Sequence, residues 1–417
     1  MPVYVNREKK RKRSKREQVG SKMTKRNLYL FNPEHDLALA SGESHYMAPA
    51  SARQMANDLA LLPIWYAKEG SGVLASSAYN LDFLKQMKEL LDIDVQLVTQ
   101  PEISHAESVD FLPWGWSPAL RKRLLTLGAD GAQLPSEAYI SALRNYSHRS
   151  QAVRLLSKLQ LNQFFCGESF YLKTLEECEA FVESRETCLL KAPLSGSGKG
   201  LNWCKGTFTD FISGWCARVA SSQGGVVGEP IYNKVEDFAM EFYLDGTGEI
   251  SFAGYSAFQT SGSGMYAGNE LLSDEKILAK LSAYVPRKEF TGLRVRLEEE
   301  LVRLFGGYYR GYLGVDMMIC HFAGEAPVYR IHPCVEINLR MNMGLVARFL
   351  TDRYLAPETE GIFQIAYYPA EGLALQEHLR MVEEFPLRIV DGRIHSGYLS
   401  LVPVTPRSRY GAFIQCD

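Results

Sequence analysis

The chain has 417 residues, 46% hydrophobic and 23% charged, with a formal net charge of −2. That length allows two or three packed domains, and the composition is ordinary for globular protein, which excludes a fibrous or low-complexity chain. No apolar run approaches the roughly 20 residues of a membrane span, and there is no secretory apolar segment.

Residues 1–26 hold eleven Lys/Arg against Glu8 and Glu17, a balance of +9, so the rest of the chain carries −11 against the whole-chain −2. A basic arm can touch nucleic acid or an acidic membrane. The simpler reading is a solvated, disordered tail. Met23 stands just before the first strand, so a start further downstream also fits. No function is assigned to the tail, and nucleic acid is not an expected partner.

From Asn27 the pattern turns α/β. Leu28-Tyr29-Leu30-Phe31 reads as a strand, 50–61 as a helix, Ile64-Trp65-Tyr66-Ala67 as a strand, 81–91 as a helix and Val95–Val98 as a strand. Strands alternating with helices predict a parallel sheet. Asn32, Glu34, His35 and Asp36 follow the first strand, where open α/β sheets place ligands. Capping of the next helix by Asn32 or Asp36 is the competing reading. Pro113-Trp114-Gly115-Trp116 reads as packing between subdomains, and Pro135-Ser136 starts a helix that leads to Ser147.

Further on, Cys188–Pro193 ends an apolar run at Lys191 and is followed by Leu194-Ser195-Gly196-Ser197-Gly198-Lys199-Gly200. A Gly/Ser turn lets backbone N–H groups approach phosphate oxygens while the strand lysine supplies positive charge. This is not a P-loop: Pro193 stands where the first glycine belongs, and Gly200 where Ser or Thr would ligate Mg²⁺. A helix is expected near 175–184 and another over 294–305, with apolar positions at 297, 301, 302 and 305. Gln259 to Asn269 is a flexible polar stretch, either a cover over a substrate (Gln259, Thr260, Tyr266) or a plain surface loop.

Gly314–Ile319 and Val335–Arg340 read as two strands joined by an extended hairpin through 321–327. Asp316, Glu336 and Asn338 then project towards one point, since residues two apart share a strand face. Oxygen-only donors in that number suit Mg²⁺, which takes its remaining ligands from water and substrate phosphates. His332-Pro333-Cys334 has no further Cys/His partners at ligand spacing and reads as structural. Asp391-Gly392 marks a hairpin. The eight cysteines form no CxxC pair and read as reduced thiols, which sets the expectation of a cytoplasmic protein.

A strand lysine, a Gly/Ser loop, an apolar segment with an acid, then an Asp and a Glu-x-Asn pair occur here in the order of the ATP-grasp superfamily, which this chain resembles over residues 147–345. The resemblance implies an α/β chain, α+β in its catalytic part. Its divisions would be a basic tail (1–26), an N-terminal parallel-sheet domain (27–146), a lid subdomain (147–228), a catalytic antiparallel-sheet subdomain (229–350) and a C-terminal segment packed on it (351–417). It implies ATP and Mg²⁺ as cofactors. Arg149 and Lys191 would face phosphates, residues Ser195, Gly196, Ser197 and Gly198 would close over them, Glu229 and Ile231 would meet adenine, and Glu236 or Asp237 the ribose. Arg310 or Arg340 would serve the transferred phosphoryl group, Arg340 also facing substrate. The implied activity joins a carboxylate to an amine through an acylphosphate, releasing ADP and phosphate. A small-molecule kinase and a non-catalytic nucleotide-binding protein remain open alternatives, as does the oligomeric state.

Overall fold

Three sheets carry the molecule, and each follows from its local sequence pattern. The computed structural model describes residues 26–105, 108–196, 200–260 and 266–417. Ser197, Gly198, most of the basic tail and 261–265 therefore lie outside the described residues.

The first sheet is parallel, with strands β1 (Arg26–Leu30), β2 (Ser71–Leu74), β3 (Val95–Val98) and β4 (Val109–Pro113) in the order β3-β2-β1-β4. The run Ile64–Ala67 is not a strand: Leu62–Trp65 forms a 3₁₀ turn and the second strand starts at Ser71. Pro63 near its start fixes φ and removes a ladder donor, which suits a helical turn and not a central strand. The apolar run is still deeply buried, and Trp65 donates its indole N–H to the Leu401 carbonyl at 2.6 Å. The expected helices lie at Ala50–Asp58, Ala78–Leu90 and Glu137–Tyr146, the last capped by Ser136.

A second, antiparallel sheet is built from β5 (Phe170–Leu172), β6 (Cys188–Lys191), β7 (Leu201–Cys204) and β8 (Val226–Pro230), ordered β5-β8-β6-β7. The helix Leu175–Glu183 covers it, opened by a reciprocal cap between Thr174 and Glu177. The helix Asp210–Gln223 packs beside it and ends at Gly224 in the left-handed conformation.

The third sheet has nine strands: β9 (Lys234–Asp245), β10 (Ile250–Thr260), β11 (Tyr266–Leu271), β12 (Arg310–His321), β13 (Tyr329–Asn338), β14 (Gly361–Tyr367), β15 (Arg388–Val390), β16 (Arg393–Ser400) and β17 (Tyr410–Cys416). Their order is β13-β12-β9-β10-β11-β14-β17-β16-β15, so the strands after residue 350 continue the same sheet. The stretch beginning at Gln259 is not a loop at its ends: Thr260 pairs with Tyr266 and Gln259 with Gly268.

In β9, period-two alternation sends Phe238, Met240 and Phe242 to one face and Ala239 and Glu241 to the other. The apolar face lies against the helix Arg287–Phe305, whose Phe290, Leu293, Leu297, Leu301 and Phe305 are all fully buried at helical spacing. That helix begins earlier than the apolar spacing from 294 suggests. Each such side chain contributes about 1.5–3 kcal/mol by leaving water. The opposite face, polar along β9, β12 and β13, is left to form a site. The N-terminal sheet packs onto the same body: Tyr29 and Trp65 share a core with Leu345, Leu350 and Ile394, and Met341 N–H donates to the Trp114 carbonyl at 3.0 Å.

Candidate active site

Strand register assembles the acidic cluster. Asp316 on β12 faces Glu336 on β13, and Gly314 faces Asn338. The Asn338 amide donates to Asp316 at 3.0 Å. One strand further in, Gly314 also faces Glu241 of β9. Burial, with the negative charges of Glu336 and Glu241 beside it, pushes the Asp316 carboxyl up to about 8. Carboxylates crowded in this way, with an amide oxygen alongside, fit a hard divalent cation, which relieves the repulsion that raises them. Among the described residues no group of three or more His, Cys, Asp and Glu side chains is arranged to hold a metal. The candidate donors here are two acids and an amide.

Glu241 was not singled out from sequence. It is buried, accepts from Asn342 at 2.8 Å and from Ser256 at 3.0 Å, and burial lifts it to about 7. Gly314 and Gly344 make room for it: a Cβ on either would stand 2.4 Å from a Glu241 oxygen.

Facing the acids is a basic wall. Arg149 immediately precedes the helix Ser150–Leu159 and is itself buried. Its guanidinium pairs with Glu336 at 2.7 Å and donates to the Ala192 carbonyl and the Ser195 hydroxyl, both at 2.6 Å. Lys191 at the end of β6 pairs with Glu229 of β8 at 2.5 Å, and Ser169 donates to the same carboxylate at 3.1 Å. Burial pushes the Cys334 thiol up, with the charges of Glu229, Asp316 and Glu336 adding to the rise and Lys191 opposing it. A small cleft of about 20 Å³ is lined by Asp36, Ser195, Glu336, Asn338 and Arg340 among others.

The remaining candidates are dispersed. Glu236 and Asp237 sit on opposite faces of β9. Glu236 pairs with Lys280 on the helical side at 3.0 Å, whereas Asp237 shares the face of Asp316, accepts from Thr260 at 2.8 Å and pairs with Lys234. Ile231 is exposed just past β8, and Gln259 is exposed on β10. Tyr266 donates to Asn269 at 2.5 Å. Arg310 reaches away from the acids to Asp110 at 3.6 Å.

After β1 the four polar residues divide. Asn32 is buried and bridges to the Gly115 backbone, donating at 2.8 Å, so it holds the turn. Glu34 lines a separate cavity of about 400 Å³ with Arg53 and Arg123. His35 packs on Gly115, and burial pushes its imidazole down to about 4, leaving it neutral at pH 7. Neither Asn32 nor Asp36 caps the helix His35–Ser41. Asp36 instead takes Arg340 in a bidentate pair, both bonds 2.8 Å, with Gly196 lying against it. Burial alone would raise the Asp36 carboxyl, but the Arg340 charge and its hydrogen bonds outweigh it and hold it below the usual range. His332 is buried against Tyr232 and Gly167, away from any ligand set.

No family model and no curated protein matches the chain. Among solved structures it is similar to N5-carboxyaminoimidazole synthetase from Staphylococcus aureus complexed with ADP, at 12% identity over 84% of this chain and 94% of that one, TM-score 0.47. It is also similar to biotin carboxylase from Campylobacter jejuni in a β-γ-ATP complex, at 13% identity over 95% and 88%, TM-score 0.48. A third is N5-carboxyaminoimidazole ribonucleotide synthetase from Thermus thermophilus, at 12% identity over 94% and 93%, TM-score 0.47. These are likenesses of chain trace at low identity; what the site can do is read from its own residues.

Proposed function

We propose that the chain is an ATP- and Mg²⁺-dependent ligase joining a small-molecule carboxylate to an amine. The observation that carries this reading is the Arg149–Glu336 bridge, which brings a basic wall from the lid sheet to within an ion pair of the acid cluster on the large sheet. A polyphosphate needs cations on both sides. Lys191 and Arg149 would supply them from the lid, and Asp316, Glu336 and Asn338 would hold Mg²⁺ opposite, which neutralises charge on the transferring phosphoryl group when bound. The lid side chains would orient phosphate oxygens, and the Ser195 segment would exclude water.

A carboxylate oxygen would attack the γ-phosphorus as the bond to the β-phosphate oxygen breaks, releasing ADP. The amine nitrogen would then attack the acyl carbon, the carbon–oxygen bond would break, phosphate would leave, and the amine proton would pass to solvent. No protein nucleophile is needed. Arg340, held by Asp36, would receive the substrate carboxylate.

Screening carboxylic acids with hydroxylamine as the amine tests the reading. Mg²⁺-dependent ADP release with formation of a hydroxamate is the expected result. Stable phosphorylation of an alcohol, with no hydroxamate from any acid, would contradict it.

A further inference from the structure

Beside the acid cluster lies a cavity of about 780 Å³, walled by the parallel sheet on one side and the large sheet on the other. Arg340 lines both this cavity and the small cleft at Asp36, Glu336 and Asn338. That side chain is thus common to the two.

One wall is a continuous aromatic surface. Trp114 lies 6.4 Å from Tyr66 between ring centroids, Tyr66 6.3 Å from Phe349, Phe349 5.6 Å from Tyr312, and Tyr312 4.9 Å from Tyr243. Rings set at this spacing favour a planar ring as guest over an aliphatic chain. Charge adds a second constraint: of the five Lys/Arg in the lining, Arg310, Arg340 and Arg348 are paired with Asp110, Asp36 and Asp274/Asp352, which leaves Lys68 and Arg353 as cations with no ion pair among the described residues. Arg353 has no carboxylate partner among the described residues; it donates to the Ala67 carbonyl and lies over the Phe349 ring. Two polar groups supply a third. The Tyr66 hydroxyl and the Arg348 Nε are buried without a hydrogen-bond partner, on residues 4% and 7% exposed. Buried polar groups of folded proteins are nearly always paired, so orphans on a cavity wall mark where a guest supplies the partner.

We propose that this cavity holds the acid substrate, and that the acid is aromatic with a hydroxyl or amino substituent on its ring. Its carboxylate sits at Arg340, its ring lies along the Trp114–Tyr66–Phe349 wall, and its ring substituent pairs with the Tyr66 hydroxyl. The assignment rests on the ligase reading above and names the class of its acid.

Calorimetric titration of the full chain with 4-hydroxybenzoate, benzoate and cyclohexanecarboxylate, with MgADP titrated separately, tests it. The expected order is 4-hydroxybenzoate tighter than benzoate by about fivefold, the worth of one neutral hydrogen bond. Benzoate should in turn bind more tightly than the saturated acid by roughly tenfold or less. Tyr66→Phe should erase the preference for the hydroxylated ring while leaving benzoate binding and the thermal midpoint unchanged or raised, since it removes an unpaired hydroxyl. Equal binding of the three acids, or a preference that survives Tyr66→Phe, would overturn the assignment; the wild-type series decides even if the variant fails to fold. MgADP binding with no aromatic acid bound would overturn this inference alone. Aromatic acids bound with no affinity for MgADP would overturn the ligase reading and leave an acid-binding cavity.

Discussion

Glu241 is one of two carboxyls in the acidic cluster, with Asp316, that burial makes responsive to pH near neutrality. Burial lifts it to about 7 from an ordinary 4.5, so the folded chain holds its proton more tightly than the unfolded chain does. Its contribution to stability is therefore complete below pH 4.5 and is lost as pH rises towards 7. Glu241→Gln should flatten that part of the stability profile and match or exceed the parent above pH 7, measured by denaturant unfolding at pH 5 and pH 8. An unchanged slope would show that the proton is held elsewhere. Asp36 argues the opposite case. Asp36→Ala leaves Arg340 without its bidentate acceptor and should cost about 2 kcal/mol. Combining it with Arg340→Met should recover part of that loss in a double-mutant cycle. Full additivity would mean that the pair is not coupled.

At the scale of elements, strand register places the chemistry, and it was legible in part. Asp316, Glu336 and Asn338 sit at alternating positions flanked by apolar residues, so their common face could be read directly, and β12–β13 pairing puts Asp316 opposite Glu336. Lys191 at the end of β6 was legible from the apolar run before it. Glu241 was not, although the signal existed: Phe238, Met240 and Phe242 alternate with Ala239 and Glu241 in one strand. An acid inside an apolar strand, on the face away from the helix Arg287–Phe305, marks a site. The pairing of Asp36 with Arg340, 304 residues apart, has no local signature, because it depends on how two sheets dock. The 3₁₀ turn at Leu62–Trp65 misled for a plainer reason, since a short apolar run has no periodicity to separate strand from turn. The close fit around Glu241 gives this scale its own test. Gly314→Ala drives a methyl into Glu241 and Asn342, both 2.4 Å from an added Cβ, and should cost about 1–3 kcal/mol by denaturant midpoint. A neutral result would mean that the β9–β12 face has slack.

Across the whole molecule the four-stranded antiparallel sheet and the large sheet meet through Arg149, which ties Glu336 to the Ala192–Ser195 segment. Nucleotide and metal would have to replace that tie, since both contend for Glu336 and for the lid donors. Mg²⁺ and nucleotide together should therefore slow amide exchange in β6 and β7, and either alone should do so less. Equal protection by Mg²⁺ alone would argue against a shared site. The parallel sheet, the lid and the nine-stranded sheet are the parts implied by the resemblance, and their strand patterns were mostly readable. The large cavity was not, because its walls come from residues as far apart as Tyr29 and Arg353.

Calorimetric titration of the full chain with ADP, with and without Mg²⁺, on the parent, Lys191→Ala and Glu336→Gln, bears most directly on the central claim that lid cations and sheet acids grip one nucleotide. Mg²⁺-dependent binding by the parent, weakened roughly tenfold or more in each folded variant, is the expected result. No nucleotide binding by the parent, or undiminished Mg²⁺-dependent binding by Glu336→Gln, would contradict it.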